Sequence, residues 1–195
     1  EKVDLRIISG IYKNRNIKID PKAGIRPTLV RSRKTIFDTI YSRIGKIDKF
    51  LDVFAGSGVM GMEAMSRGAD DVVFFEINKT AIRYIEKNLR SMEKLPGKYS
   101  VLNCNALRPF EGQSMDVVFL DPPYDKYFII PDVLKKLQKY GWIGQNTIVV
   151  IEYFYKNKIK LSSEYKIFKD TKVSNSVIQF FTYLPEEDFT DLLQN

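Results

Sequence analysis

Histidine is absent from this sequence of 195 residues, and cysteine and tryptophan occur once each. Without an imidazole and with a single thiol, histidine acid–base catalysis and the usual zinc ligand sets are excluded, so no metal is expected. Cys104 alone cannot form an internal disulfide, which fits a reducing compartment and a cytoplasmic location. No apolar run approaches the roughly 20 residues that cross a bilayer, and no signal-peptide pattern is visible, so no membrane partner is expected. Repeats, low-complexity tracts and a second-domain linker are also lacking. What is present, 44% hydrophobic and 28% charged residues, is ordinary for one globular domain with a real core.

The net charge of +7 is unevenly spread. Residues 1–49 hold 13 Lys and Arg against 5 Asp and Glu, whereas residues 50–195 hold 18 against 19. A basic segment joined to a near-neutral body points to a polyanion partner, nucleic acid above all; a solvated basic face is the alternative.

Leu5 to Asp20 reads as two short strands around a polar turn, leaving Arg6, Lys13, Arg15 and Lys18 available to an anion and Tyr12 able to stack on a nucleotide or to pack. Pro21–Pro27 is a loop. Ser32 can cap a helix running to about Ile44 and ended by Gly45; Arg31, Arg33 and Lys34 cluster at its start, where the helix dipole disfavours cations unless an anion binds nearby. Thereafter strands alternate with helices: strands at 50–54, 71–76, 99–103, 115–120 and 147–151, helices at 59–67, from an Asn78 cap to about Met92 and from Pro131, and a final hairpin of 165–169 with 176–183. Lys156, Lys158 and Lys160 read as a solvated strand end. This order predicts an α/β fold, a mostly parallel sheet with helices on both faces, whose ligands lie at the strands' carboxyl ends. The expected divisions are a basic hairpin and loop at 1–30, the main domain at 31–184 and an acidic tail at 185–195.

Phe50-Leu51-Asp52-Val53-Phe54-Ala55-Gly56-Ser57-Gly58-Val59-Met60-Gly61 is the organising stretch: an apolar strand, a glycine turn and a helix start. Glycines permit close backbone approach and the helix start offers unpaired N–H groups. The glycine spacing, with Glu76 about 20 residues on, also fits a nicotinamide dinucleotide. Asp52 argues otherwise, because it would repel a pyrophosphate yet suit a cofactor with a sulfonium and an amino-acid head. The stretch resembles motif I of class I S-adenosylmethionine methyltransferases.

At the end of the fourth strand stands Asp121-Pro122-Pro123-Tyr124. Two prolines fix two φ angles and remove two N–H donors, so the loop presents carbonyl oxygens in a set direction. With the Asp121 carboxylate and the flat Tyr124 ring, it suits a planar ring bearing an exocyclic NH2. Such a nitrogen attacks poorly until its hydrogens are held, a task for Asp121 and the Pro122 carbonyl. A rigid turn after a buried strand is the plainer reading of the tetrapeptide alone. The loop resembles the (Asp/Asn)-Pro-Pro-(Tyr/Phe) motif of methyltransferases that act on adenine, guanine or glutamine amide.

Taken in order, Arg6-Ile7-Ile8-Ser9-Gly10, Arg26-Pro27-Thr28 with Arg31, the 50–61 stretch, Glu76 and Asp121–Tyr124 resemble the RsmD family over about residues 5–184. Members are bacterial 16S ribosomal RNA guanine-N2 methyltransferases. The resemblance implies a Rossmann-like class I fold of seven strands with an N-terminal β-hairpin that engages RNA. It implies S-adenosylmethionine held by Asp52, Phe54, Ala55, Gly56, Ser57, Gly58, Glu76, Ile77, Asn105, Ala106 and Asp121. Glu76 would hold the ribose hydroxyls and Asn105-Ala106 would lie beside the adenine, with Asn105 replacing the acidic residue common there. Catalysis would fall to Asp121, Pro122, Pro123 and Tyr124, and RNA contact to Arg6, Tyr12, Lys13, Arg15, Lys18, Arg26 and Arg31. The implied partner is 16S rRNA in an assembled or partly assembled small subunit, met by a monomer. An adenine-N6 or protein glutamine methyltransferase is the alternative that shares the Asp-Pro-Pro-Tyr loop.

Overall fold

Short apolar runs separated by amphipathic segments can bury both faces of a sheet only if helices cover each face. The computed structural model, which describes residues 5–22 and 28–186, has that arrangement. Helix α1 (Val30–Ile44) precedes strand β1 (Lys49–Asp52), helix α2 (Val59–Ser66), strand β2 (Asp71–Glu76), helix α3 (Lys79–Arg90) and strand β3 (Lys98–Asn103). Strand β4 (Val117–Leu120) leads through a 3-10 turn (Tyr124–Ile129) into helix α4 (Ile130–Lys139), then strands β5 (Ile148–Phe154), β6 (Tyr165–Val173) and β7 (Ser176–Tyr183).

The seven strands lie in the order β3-β2-β1-β4-β5-β7-β6. Phe50 is in parallel register with Val72 on one side and Val117 on the other, while β7 runs antiparallel to both β5 and β6. The sequence direction reverses at β1, between β2 and β4, which opens a crevice at the carboxyl ends there. Alternation along the strands splits the core. Phe50, Phe74, Phe119 and Phe180 pack with Phe37 of α1 and Met62 of α2 on one face. Leu51, Phe75, Val118 and Leu120 pack with Leu134 of α4 and Trp142 on the other.

The expected N-terminal strands are reduced to one antiparallel bridge, Arg6 to Asn16, with flanking hydrogen bonds from Ile7 N–H to Arg15 O at 3.0 Å and from Ile17 N–H to Leu5 O at 2.7 Å. Residues between them form a tight turn because they pack on α2 rather than on a strand. Ile11 N–H donates to Ser66 O at 2.9 Å, Tyr12 N–H to Ser66 Oγ at 2.9 Å, and Ser66 Oγ–H to Ser9 O at 2.7 Å. A Cβ on Gly10, whose φ is +83°, would lie 1.8 Å from the Ser66 carbonyl oxygen, so a side chain there is incompatible with this docking.

Helix α1 starts at Val30, ahead of the expected cap, so Ser32 lies buried inside the helix and caps nothing. Arg33 also turns inward. Its anion is internal: Glu63 of α2, 3.9 Å away, in a pair with no exposed side-chain surface. The Arg33 guanidinium also donates to Arg6 O at 2.7 Å. Arg26 lies outside the described residues, as does residue 187 onward of the acidic tail. No helix among the described residues is long and apolar enough to cross a membrane.

Candidate active site

Four pieces of chain converge on a cavity of about 780 Å3: the β1–α2 turn, the end of β2, the turn after β3, and the loop after β4. Their residues Asp52, Phe54, Ala55, Gly56, Ser57, Glu76, Ile77, Asn105, Ala106 and Asp121–Tyr124 all line it. The volume is that of an ordinary small-molecule site.

Asp52 is the last residue of β1 and only 1% exposed. Its Oδ2 accepts from Gly61 N–H at 3.2 Å, in the first turn of α2. Burial, reinforced by the nearby Glu76 charge and opposed by the Gly61 hydrogen bond, raises its pKa to about 7. Glu76 ends β2 and ties the floor together. Its Oε2 accepts from Gly56 N–H at 2.7 Å, and its Oε1 from Ile77 N–H and Asn78 N–H at 2.9 Å each. A carboxylate has about four acceptor sites, so roughly one on Oε2 is left for a ligand hydroxyl.

Gly58 is an exception among the expected cofactor residues, for it does not line the cavity. It is the left-handed N-cap of α2 at φ +74°; its N–H donates to Ala55 O at 2.7 Å and its Cα backs onto Ile85, which a Cβ would meet at 2.9 Å. The glycine serves helix packing there rather than ligand approach.

Asn105 Oδ1 accepts from Leu107 N–H at 2.9 Å, an Asx turn that holds the backbone beside Ala106. Pro122 is buried, Asp121 half-buried, and Tyr124 exposed, with its ring centroid 5.6 Å from that of Phe154 in an edge-on arrangement. Sequence reasoning did not single out Thr28, Phe75, Leu107, Lys126 or Phe128 as cavity residues, yet all line it. Phe128 is 64% exposed, with the Tyr127 ring edge-on at 6.1 Å between centroids, and its only sequence signal is its position just after the proline loop.

Of the described residues expected to touch RNA, Tyr12 and Arg15 lie away from this cavity. Arg15 donates from Nη2 to Ser91 O at 2.9 Å, and the Tyr12 hydroxyl accepts from Lys94 N–H at 2.6 Å, both beyond the C-terminal end of α3. Asn78, at the opposite end of α3, lines the cavity, and a helix of this length puts about 20 Å between the two ends. Tyr12 is thus a packed tyrosine, half-buried against the core. Lys13, Lys18, Arg6 and Arg31 are exposed.

The donor set is a buried carboxylate, a second carboxylate with one acceptor site to spare, a small-residue turn between them, and walls from Phe75, Ala106 and Leu107. It fits a ligand with a cationic head, a ribose and a flat heterocycle. Together with the strand order, it defines a Rossmann-like class I methyltransferase fold. The protein family described as Conserved hypothetical protein 95 matches residues 5–182, and the chain belongs to that family, in keeping with its resemblance to RsmD proteins.

The chain is 33% identical to Ribosomal RNA small subunit methyltransferase D of Haemophilus influenzae over 155 residues, covering 77% of this chain and 79% of that protein. It is 31% identical to the protein of the same name from Buchnera aphidicola (subsp. Acyrthosiphon pisum), covering 91% and 92%. In fold it is similar to the solved structure of the putative methyltransferase yhhF from Escherichia coli, with a TM-score of 0.82, 24% identity, and coverage of 94% of this chain and 100% of that one.

Proposed function

We propose that this chain methylates the exocyclic N2 amino group of a guanine in 16S ribosomal RNA, with S-adenosylmethionine as donor. The observation that carries this reading is the opening of the Asp52–Ser57 turn and the Asp121–Tyr124 loop onto one cavity. Relatives named ribosomal RNA small subunit methyltransferase D support the choice of substrate.

S-adenosylmethionine, when bound, supplies an electrophilic methyl group on a sulfonium sulfur. Asp52 and the 55–57 turn would hold its amino-acid end, and a cation there favours the ionised form of Asp52. Glu76 would accept from the ribose with its remaining lone pair, while Asn105, Ala106 and Leu107 flank the heterocycle. Asp121 and the Pro122 carbonyl accept the hydrogens of the guanine amine, drawing its nitrogen toward tetrahedral geometry so that its lone pair becomes available. Asp121 would take the proton released as the N–CH3 bond forms and the S–CH3 bond breaks, the bonding pair staying on sulfur so that a neutral thioether leaves. Alignment of nitrogen and methyl is the other requirement, and the rigid proline loop supplies it. The Tyr124 ring covers the base after it leaves its stack. Exposed Phe128 and Ile77 at the rim are placed to exclude water once the base is seated. The substrate is the RNA within an assembled or partly assembled small subunit, met by a cytoplasmic monomer. Exposed Lys13 and Lys18 would contact its phosphates at a distance from the cleft, and exposed Arg6 and Arg31 would contact them as well, Arg31 only three residues beyond Thr28 of the cavity wall.

The deciding experiment transfers labelled methyl from S-adenosylmethionine to small subunits purified from cells lacking this enzyme, followed by nucleoside digestion. N2-methylguanosine is expected. Label in N6-methyladenosine or in protein glutamine would overturn the assignment.

A further inference from the structure

A line of aromatic rings leads out of the cavity. Tyr124, which lines it, meets Phe154 at 5.6 Å between centroids, and Phe154 meets Tyr155 at 5.0 Å, just past the end of β5. Tyr155 is 38% exposed. Its backbone N–H donates to Asn175 O at 3.0 Å, in the turn between β6 and β7, so its main chain is tied to the end of the sheet. Lys172 Nζ stands 3.9 Å from the centre of that ring, and Lys156 Nζ 5.8 Å.

The surrounding charge is predominantly positive. Residues 155–172 contain six lysines against Glu164 and Asp170. Asp170 accepts from Gln179 Nε2 at 3.1 Å, and Lys169 is turned toward Thr39 and Phe180, so Lys156 and Lys172 are the cations facing Tyr155. The Lys172 ammonium lies over a face of this half-exposed ring, and a phosphate drawing it aside frees that face for a base, the pairing of aromatic ring and cation that single-stranded nucleic acid uses. An acidic peptide would use the lysines and leave the ring without a partner.

We propose that Tyr155, Lys156 and Lys172 form a platform that stacks a base and holds the phosphates of single-stranded RNA adjoining the nucleotide in the cleft. This rests on the reading of the cleft as an RNA methyl-transfer site. The basic residues counted along the chain cluster before residue 50, but Tyr12 and Arg15 lie about 20 Å from the cavity along α3. Tyr155 is two ring contacts from Tyr124. The platform therefore grips the strand beside the target base, and the N-terminal segment reaches more distant RNA.

The test measures binding of a short fluorescent single-stranded RNA by anisotropy over a salt series, alongside turnover on small subunits. Tyr155→Ala should weaken oligonucleotide binding about tenfold, the loss of one stacked base, while Tyr155→Phe binds like the wild type. The Lys156→Ala/Lys172→Ala double variant should reduce the salt slope by about 1.4, for two phosphate contacts to a single strand. S-adenosylmethionine binding and the thermal midpoint should not move in either variant. Wild-type affinity and slope in both Tyr155→Ala and the lysine variant would overturn the platform, as would no binding of the oligonucleotide by the wild type. A loss in Tyr155→Phe equal to that in Tyr155→Ala would overturn stacking. A loss seen on whole subunits but not on the oligonucleotide would assign the surface to a ribosomal protein instead. Binding is read without methyl transfer, so a wild type that uses the platform yet makes no N2-methylguanosine removes the proposed reaction and leaves the platform standing.

Discussion

Glu63 receives two backbone N–H groups from a segment more than 50 residues away: Ile8 at 2.8 Å on Oε2 and Ser9 at 3.0 Å on Oε1. The same carboxylate accepts from Arg67 Nε at 3.0 Å and faces Arg33 at 3.9 Å. One side chain in the middle of α2 thereby fixes the N-terminal segment, the start of α1 and the helix that carries the glycine turn.

Removing that carboxylate leaves the buried Arg33 charge uncompensated. Glu63→Ala should lower stability by about 3–5 kcal/mol, the usual cost of breaking one side of a buried pair. Chemical denaturation gives the difference, and a wild-type midpoint would show that Arg33 does not depend on it.

Asp121→Ala should lower methyl transfer by about 10²–10⁴-fold, the typical worth of a positioned acid–base group. S-adenosylmethionine binding, followed by calorimetry, should persist. Normal turnover would remove Asp121 from the mechanism.

Asp52 gives a pH signature. Its pKa of about 7 in the folded protein stands above the ~3.9 of an unfolded aspartate, so between those values the folded state binds the extra proton. Its contribution to stability is greatest below about pH 4 and is lost as pH rises through about 7. Asp52→Asn should abolish this loss, so its thermal midpoint should gain on the wild type from pH 4 to pH 8. Parallel curves across that range would contradict the burial argument.

Gly10→Ala would place a methyl group against the Ser66 carbonyl at a left-handed φ. A loss of about 1–3 kcal/mol is expected, with faster proteolysis within residues 5–22. Unchanged proteolysis and midpoint would mean that the segment shifts without cost.

Neutralising Lys13 and Lys18 should flatten the salt dependence of binding to whole small subunits and leave binding of a short oligonucleotide unaltered, because these lysines belong to the segment that docks away from the cavity. Equal effects on both substrates would bring that segment to the cleft.

The sheet and the cleft were readable because both depend on local patterns. Continuous apolar runs marked β1, β2, β4 and β5, and the Asn78 cap, which accepts from Thr80 and Ala81 N–H, marked the start of α3. Residues at carboxyl ends of parallel strands meet by topology, so Asp52, Glu76 and Asp121 could be placed together from order alone. What could not be read were choices made by tertiary contact. Arg33 looks like one more cation in a basic run, and nothing local distinguishes it from exposed Arg31 and Lys34. Its partner left a trace, since Glu63 is a lone carboxylate within the otherwise apolar Met60–Met65, a position that needs a buried cation or several N–H donors. Ser32 had the chemistry of a cap, but the helix began two residues earlier. The polar turn at 10–15 was legible, but its docking was not: Ile11 and Tyr12 donate to Ser66, and the strands expected on either side shrink to the single Arg6–Asn16 bridge.

Leu5, Ile7 and Ile17 share one interior with Phe37, Phe50 and Met62. The opening residues thus act as a keystone for the helical layer beneath the glycine turn. A chain shortened to begin near Thr28 would admit water onto Met62 and strip Glu63 of two of its donors. Loss of methyl-donor affinity in such a truncation would then report a loosened α2, far from any RNA contact that was cut away.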